Sequence, residues 1–243
     1  MNFLKITGII LSLGLFSCTK KDVPTGNLVI KFNAHYGNLP FAALNEYPYG
    51  IKQSIKFSKL DFFITHCTLK GTNAMSLDQN ALIDLTGTDI TRTFSFTGVR
   101  AGEYTGLEFI LGVNADLNKK TPSQYKSTDA LSSTSHYWDT WNSYIFSKIE
   151  GVLDTNGMNT YDLGIAIHTG TDDCARTVSI RKSFTISTST TPTMTLDIDV
   201  EKIFKQNGVY FDLINSPLNH NPINIDVLKN FSTAEANAII LLN

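Results

Sequence analysis

Leu28-Val29-Ile30-Lys31-Phe32-Asn33-Ala34-His35-Tyr36 decides the fold class. Leu28, Ile30, Phe32, Ala34 and Tyr36 fall on one side of an extended chain, because successive strand side chains point to opposite faces. Val29, Lys31, Asn33 and His35 fall on the other. The period is two, so the stretch is a half-buried strand with His35 on its more polar face. Downstream, Ile55 to Leu69 is apolar on both faces, as a central strand requires. Leu82 to Leu85 is a short strand ended by Thr86-Gly87, and Phe94 and Phe96 begin another, with Gly98 to Gly102 as a turn. Leu107, Phe109, Leu111 and Val113 share a face, as do Leu163, Ile165 and Ile167, which sets His168 on the opposite side. Val178, Ile180, Phe184 and Ile186 make a further strand, and Met194, Leu196, Ile198 and Val200 another. Many short strands with regular turn signals argue for an all-β protein, a β-sandwich of immunoglobulin-like or related type.

Two helical pieces interrupt this pattern. Val200 to Phe204 suits about one turn, and Ser232-Thr233-Ala234-Glu235 reads as a capping box that opens a short C-terminal helix through Leu242. Asn114 to Tyr137 has neither period, and its length marks it as a functional insertion loop.

The first residues carry a separate message. Met1 to Lys5 bears one positive charge, Ile6 to Phe16 is apolar, and Ser17-Cys18 follows. That apolar run is well short of the roughly 20 residues that span a bilayer, so it reads as a processing segment. Leu15-Phe16-Ser17-Cys18 matches a bacterial lipobox. The expectation is a lipoprotein signal peptide over 1–17, lipid on Cys18, a tether over 18–26 and one domain over 27–243. Thr19-Lys20-Lys21-Asp22 resembles the polar tethers of Bacteroidota lipoproteins. The expected location is the cell envelope, anchored to the outer membrane and facing the periplasm or the surface.

Charge is nearly balanced, at −2, and charged residues make up only 17% of the chain, so no basic stripe suits nucleic acid. With Cys18 acylated, Cys67 and Cys174 remain in an oxidising compartment, and a disulfide between them is the leading reading. No nucleophile elbow, zinc-protease helix, phosphate loop or CxxC is present, so no enzyme is expected. Asp154-Thr-Asn156-Gly157 and Asp172-Asp173 read as turns rather than cation sites. His35 and His168 both lie opposite a core stripe, His66 shares the face of Leu60, Phe62 and Ile64 and reads as buried, and His220 lies in an Asn-His-Asn-Pro loop. Trp138 and Trp141 sit three apart in an aromatic segment that suits a core, a glycan platform or a redox-active site.

Taken in order, several segments resemble the MbnP-like copper-binding family. They are Phe32-Asn-Ala-His-Tyr-Gly37, Ile55-Lys-Phe-Ser-Lys-Leu-Asp-Phe-Phe-Ile64, Leu82-Ile-Asp-Leu85 and Val99-Arg-Ala-Gly-Glu-Tyr104. Gly112-Val-Asn-Ala-Asp-Leu-Asn118, the tryptophan segment ending Lys148-Ile-Glu-Gly151, His168-Thr-Gly170, His220 and Asn230-Phe231 continue the series. The resemblance implies a copper site with histidine ligands, and a tryptophan oxidised to kynurenine by a partner di-haem peroxidase. Carried over, His35 and His168 are ligand candidates, His220 is a third, and Trp138 or Trp141 is the candidate for oxidation. His136 stands where the family pattern has Met, Ser143-Tyr144 replaces Gly-Tyr, and the tryptophan spacing differs. These departures leave open which tryptophan is modified and allow His136 as an extra ligand. The function expected is copper storage or transfer by an envelope lipoprotein. The other reading is a surface sandwich that binds glycans or protein partners through its aromatics.

Overall fold

The computed structural model describes residues 23–220 and 225–242. The signal segment, Cys18 and residues 19–22 of the tether lie outside the described residues. The strands that matter below are β1 (Thr25–Tyr36), β2 (Gln53–Lys70), β3 (Ala81–Asp84), β4 (Thr93–Arg100), β5 (Gly102–Leu111) and β6 (Tyr137–Trp138). They continue with β7 (Ser143–Asp154), β8 (Leu163–Gly170), β9 (Arg176–Ile186), β10 (Thr193–Asp199), β11 (Leu218–Asn219) and β12 (Ile239–Leu241). Two helices, α1 (Val200–Ile203) and α2 (Ile225–Ala238), complete the set. Thr25 and Gly26 already belong to β1.

Two sheets face each other. In the smaller, β1 pairs in parallel with β10 and antiparallel with β4, and β12 closes the far side of β10. In the larger, the order is β9-β5-β2-β7-β8-β11, with β3 also on β2. The alternation in β1 turns Leu28, Ile30, Phe32 and Tyr36 inward, where they are almost wholly buried. Phe32 meets Phe62 edge-on at 5.6 Å and Phe109 at 6.5 Å, so the two inner faces interdigitate. Each such side chain contributes roughly 1.5–3 kcal/mol on burial.

β2 is buried on both faces, as its sequence requires. One face meets the small sheet. The other is covered by the 115–137 insertion, whose His136 ring packs 5.4 Å from Phe63. His66 departs from expectation. The β2–β5 register shifts between Thr65 and Thr68, and His66 takes φ 51° and is exposed. A bulge inserts one unpaired residue, which reverses the alternation that would have buried His66.

Two further expectations are corrected. The C-terminal helix does not begin at Ser232. It begins by Ile225 and ends at Ala238, and the chain then leaves as β12. Leu228, Phe231, Ser232, Glu235 and Ala238 form its buried stripe, and the Ser232 hydroxyl donates to the Leu228 carbonyl at 3.0 Å. Burial of that stripe outweighs the local capping signal. Cys67 and Cys174 are both buried free thiols, not a disulfide. Arg176 pairs with Leu111, and Leu111 with Ile64, so the cysteines lie two strands apart and are offset along them. Two strand spacings alone come to about 10 Å, beyond the Cα limit of about 7 Å for a disulfide.

Candidate metal centre

The centre is built on the outer face of the larger sheet. Inward Ile167 puts His168 outward on β8. There it stands opposite Lys148 of β7, which in turn stands opposite Asp61 of β2. The His168 Nε2 meets the Glu150 Oε1 at 2.8 Å. A carboxylate only accepts, so a neutral imidazole here carries its proton on Nε2 and its lone pair on Nδ1. That Nδ1 is buried and has no hydrogen-bond partner. Burial lowers the His168 pKa most; Glu150 opposes this, while Lys148 and His220 add to it. Burial thus favours the neutral ring, the form that ligates metal.

His220 reaches the same place by register. β11 pairs in parallel with β8, Asn219 lying opposite Ile167, so the next residue comes level with His168. Asn219 is buried, and its side-chain amide donates to the Ser216 carbonyl at 2.6 Å, which fixes the loop. The His168 and His220 rings lie 6.0 Å apart. That span suits two imidazoles on one ion, with bonds of about 2 Å from each ring.

Trp138 closes the third side. β6 pairs with β7 so that Trp138 lies opposite Ser143, and a turn returns Trp141 beneath it. The indoles stack at 4.8 Å and 15°. Trp138 also lies 5.5 Å from the His220 ring and 6.3 Å from the His168 ring. Trp141 sits on the far side of the stack, over Gly170, where a Cβ would come within 2.5 Å of its Cζ3. Asn142 and Thr171 flank this seat at φ 49° and 66°. A positive φ is costly for a β-branched residue and is held only by its surroundings. Here the Thr171 N–H donates to the Ser143 hydroxyl at 3.0 Å.

His168, His220, Trp138 and Trp141 thus converge. His35 does not join them. Its neighbours Phe32 and Tyr36 are buried inward, so it projects from the outer face of the smaller sheet, beside Asp197 at 2.8 Å and Asp199 at 3.8 Å. Packed sheets are about 10 Å apart, so side chains on opposite outer faces cannot share an ion. His136 is not free to ligate either. Its Nε2 lies 3.0 Å from Asp61, and its Nδ1 meets the hydroxyls of Ser133 and Ser135 at 3.2 and 3.1 Å.

Among the described residues, no group of three His, Cys, Asp or Glu is placed to hold a metal ion. Asp154 is occupied as a turn former, accepting the backbone N–H of Asn159 at 2.7 Å and of Gly157 at 3.1 Å. Asp172 accepts from the Asn118 amide at 2.9 Å. Sequence reading missed Glu150 and Asp61. The signal for Asp61 was available, as a lone carboxylate inside an otherwise apolar run; for Glu150 there was none.

No curated protein matches the chain. A solved structure, MbnP from Methylosinus trichosporium, is similar with a TM-score of 0.51 and 12% identity, over 75% of this chain and 78% of that one. At that identity the likeness speaks for the sandwich alone. The family model for MbnP matches residues 25–225. Matched over most of its length, the chain belongs to the MbnP family.

Proposed function

We propose that the protein is an envelope lipoprotein that binds copper through His168 and His220, for storage or transfer. The observation that carries this reading is the His168 Nδ1, a buried lone pair with no partner beside a second imidazole. Imidazole suits copper, which heads the divalent affinity order for nitrogen sites. Glu150 fixes the ring and its tautomer from behind, as the carboxylates that support metal-binding histidines do.

An unmodified indole offers only an N–H donor and cannot ligate. Oxidation of Trp138 to kynurenine, by hydrogen peroxide at a di-haem peroxidase partner, would cleave the indole C2–C3 bond, release C2 as formate and leave an arylamine and a ketone as donors. Trp138 is favoured over Trp141 because it faces both imidazoles. Cys18 lipid would hold the domain at the outer membrane, and the role is carriage rather than catalysis. Nucleic acid has no place in it. The glycan reading gains no support, since the indole stack is engaged by His220 on one side and Gly170 on the other.

Copper titration of the purified protein tests this. One tightly bound ion, lost in His168→Ala and His220→Ala, is the expected result. No stoichiometric binding to native material, or binding indifferent to both substitutions, overturns it. Mass spectrometry of native protein is expected to place kynurenine at 138.

A further inference from the structure

Three outward side chains form one row across the larger sheet: Asp61 on β2, Lys148 on β7 and His168 on β8. The segment ending at Trp138 lies over that row. His136 is held on Asp61 through Nε2, at 3.1 and 3.0 Å from its two carboxylate oxygens. The Lys148 ammonium donates to the Ser135 carbonyl. Trp138 then arrives beside His168. Asp61 is fully buried, and Lys59 bridges it at 2.9 Å to Asp84, which lies 2.8 Å away. His136 is 5% exposed, and both its nitrogens are satisfied.

A buried carboxylate is costly unless paired, and breaking such a pair costs more than the pair contributes. A surface loop could be held on this sheet by apolar contacts alone, as Phe63 already provides. Polar contacts add what apolar ones lack, which is a unique register along the sheet. A slip of one residue would take His136 from Asp61 and leave that buried carboxylate with Lys59 alone.

We infer that Asp61, His136 and Lys148 are positioning residues that register the tryptophan segment on the sheet and so set Trp138 against His168 and His220. The inference deepens the copper reading and rests on it for its purpose, but its geometry is measurable without metal. Stacked indoles give a coupled circular-dichroism signal through their strong short-wavelength transitions, which reports the Trp138–Trp141 seat directly.

The test uses the intact metal-free chain with Trp138 unoxidised, made without the peroxidase partner, and the variants His136→Phe, Asp61→Asn, Lys148→Met and Lys148→Arg. In His136→Phe and Lys148→Met, the strand signal in the far ultraviolet is expected to persist while the indole couplet falls at least twofold. Lys148→Arg, which can still donate to the Ser135 carbonyl, is expected to restore it. Copper affinity is expected to fall about 10- to 100-fold in step with the couplet, as for outer-shell partners of metal ligands. A folded His136→Phe or Lys148→Met with an unchanged couplet overturns the inference, whatever its copper affinity. Should Asp61→Asn fail to fold, the surface variants at Lys148 decide. Wild-type protein that binds no copper but loses its couplet in these variants defeats the copper reading and leaves the positioning role standing.

Discussion

His35 and His168 carry the same signal in sequence, an imidazole opposite a core stripe, yet the fold gives them different lives. His35 has an acid on each nitrogen, with Asp197 at 2.8 Å and Asp199 at 3.8 Å, and its side chain is 31% exposed. His168 has one nitrogen held by Glu150, the other orphaned, and its side chain is 15% exposed. Being off the core does not make a ligand. A ligand also needs a lone pair that nothing else occupies, close to a second donor. Glu235 shows that the orphan alone is not enough either. Its Oε1 is buried without a partner on α2, but burial keeps the carboxyl protonated rather than ready to ligate.

The sharpest way to break this contrast is to exchange the two imidazoles for methyl groups. His168→Ala is expected to abolish stoichiometric copper binding, and His35→Ala to leave it within about twofold, by competition titration with a chromogenic chelator. Equal losses would restore His35 to the site. Next in size, Glu150→Gln keeps the shape but weakens the acceptor behind His168. Affinity should drop roughly 10- to 100-fold with the fold intact. A smaller effect is expected from Gly170→Ala, whose added Cβ would lie 2.8 Å from the Tyr144 carbonyl as well as against Trp141. Overpacking of this kind costs about 1–3 kcal/mol, to be read by urea unfolding, and should disturb the indole couplet as well.

Glu235→Gln sharpens the other half of the comparison through pH. Burial raises the Glu235 carboxyl from 4.5 to about 8. Between those values the folded state holds a proton that the unfolded state has released, so stability falls as pH rises through the window. The glutamine variant lacks this dependence. Its advantage over wild type is expected to be near zero below pH 4 and to grow to a few kcal/mol by pH 8. Unfolding curves that stay parallel across that range would place the proton elsewhere. The smallest effect expected is none at all. Reductant should leave the midpoint of thermal unfolding unchanged, because Cys67 and Cys174 are separate thiols.

Much of the sandwich was legible because strand burial is written in a period of two, which β1 and β8 follow closely. The reading failed where a non-local event overrode the local pattern. The bulge that exposes His66 depends on how β2 registers against β5, which neither strand encodes alone. The start of α2 depended on what its stripe packs against, so a local Ser-x-x-Glu match misled. At the site, Trp138, His168 and His220 were all named as candidates, but the same reasoning named His35 with equal force. Residue type and face can be read along one strand. Which of two outer faces a strand presents cannot.

The chain order of residues by itself determined the all-β class, the inward and outward faces of the long strands, and the set of residues able to touch a metal. Those follow from sterics and hydrophobic period, which act over a few residues. Only the tertiary structure decided that His168 and His220 meet beside Trp138, that His35 lies across the sandwich, and that the cysteines stay apart. Those outcomes turn on strand pairing between segments as far apart in the chain as His35 and Asp199, and on which lone pairs that pairing leaves unclaimed.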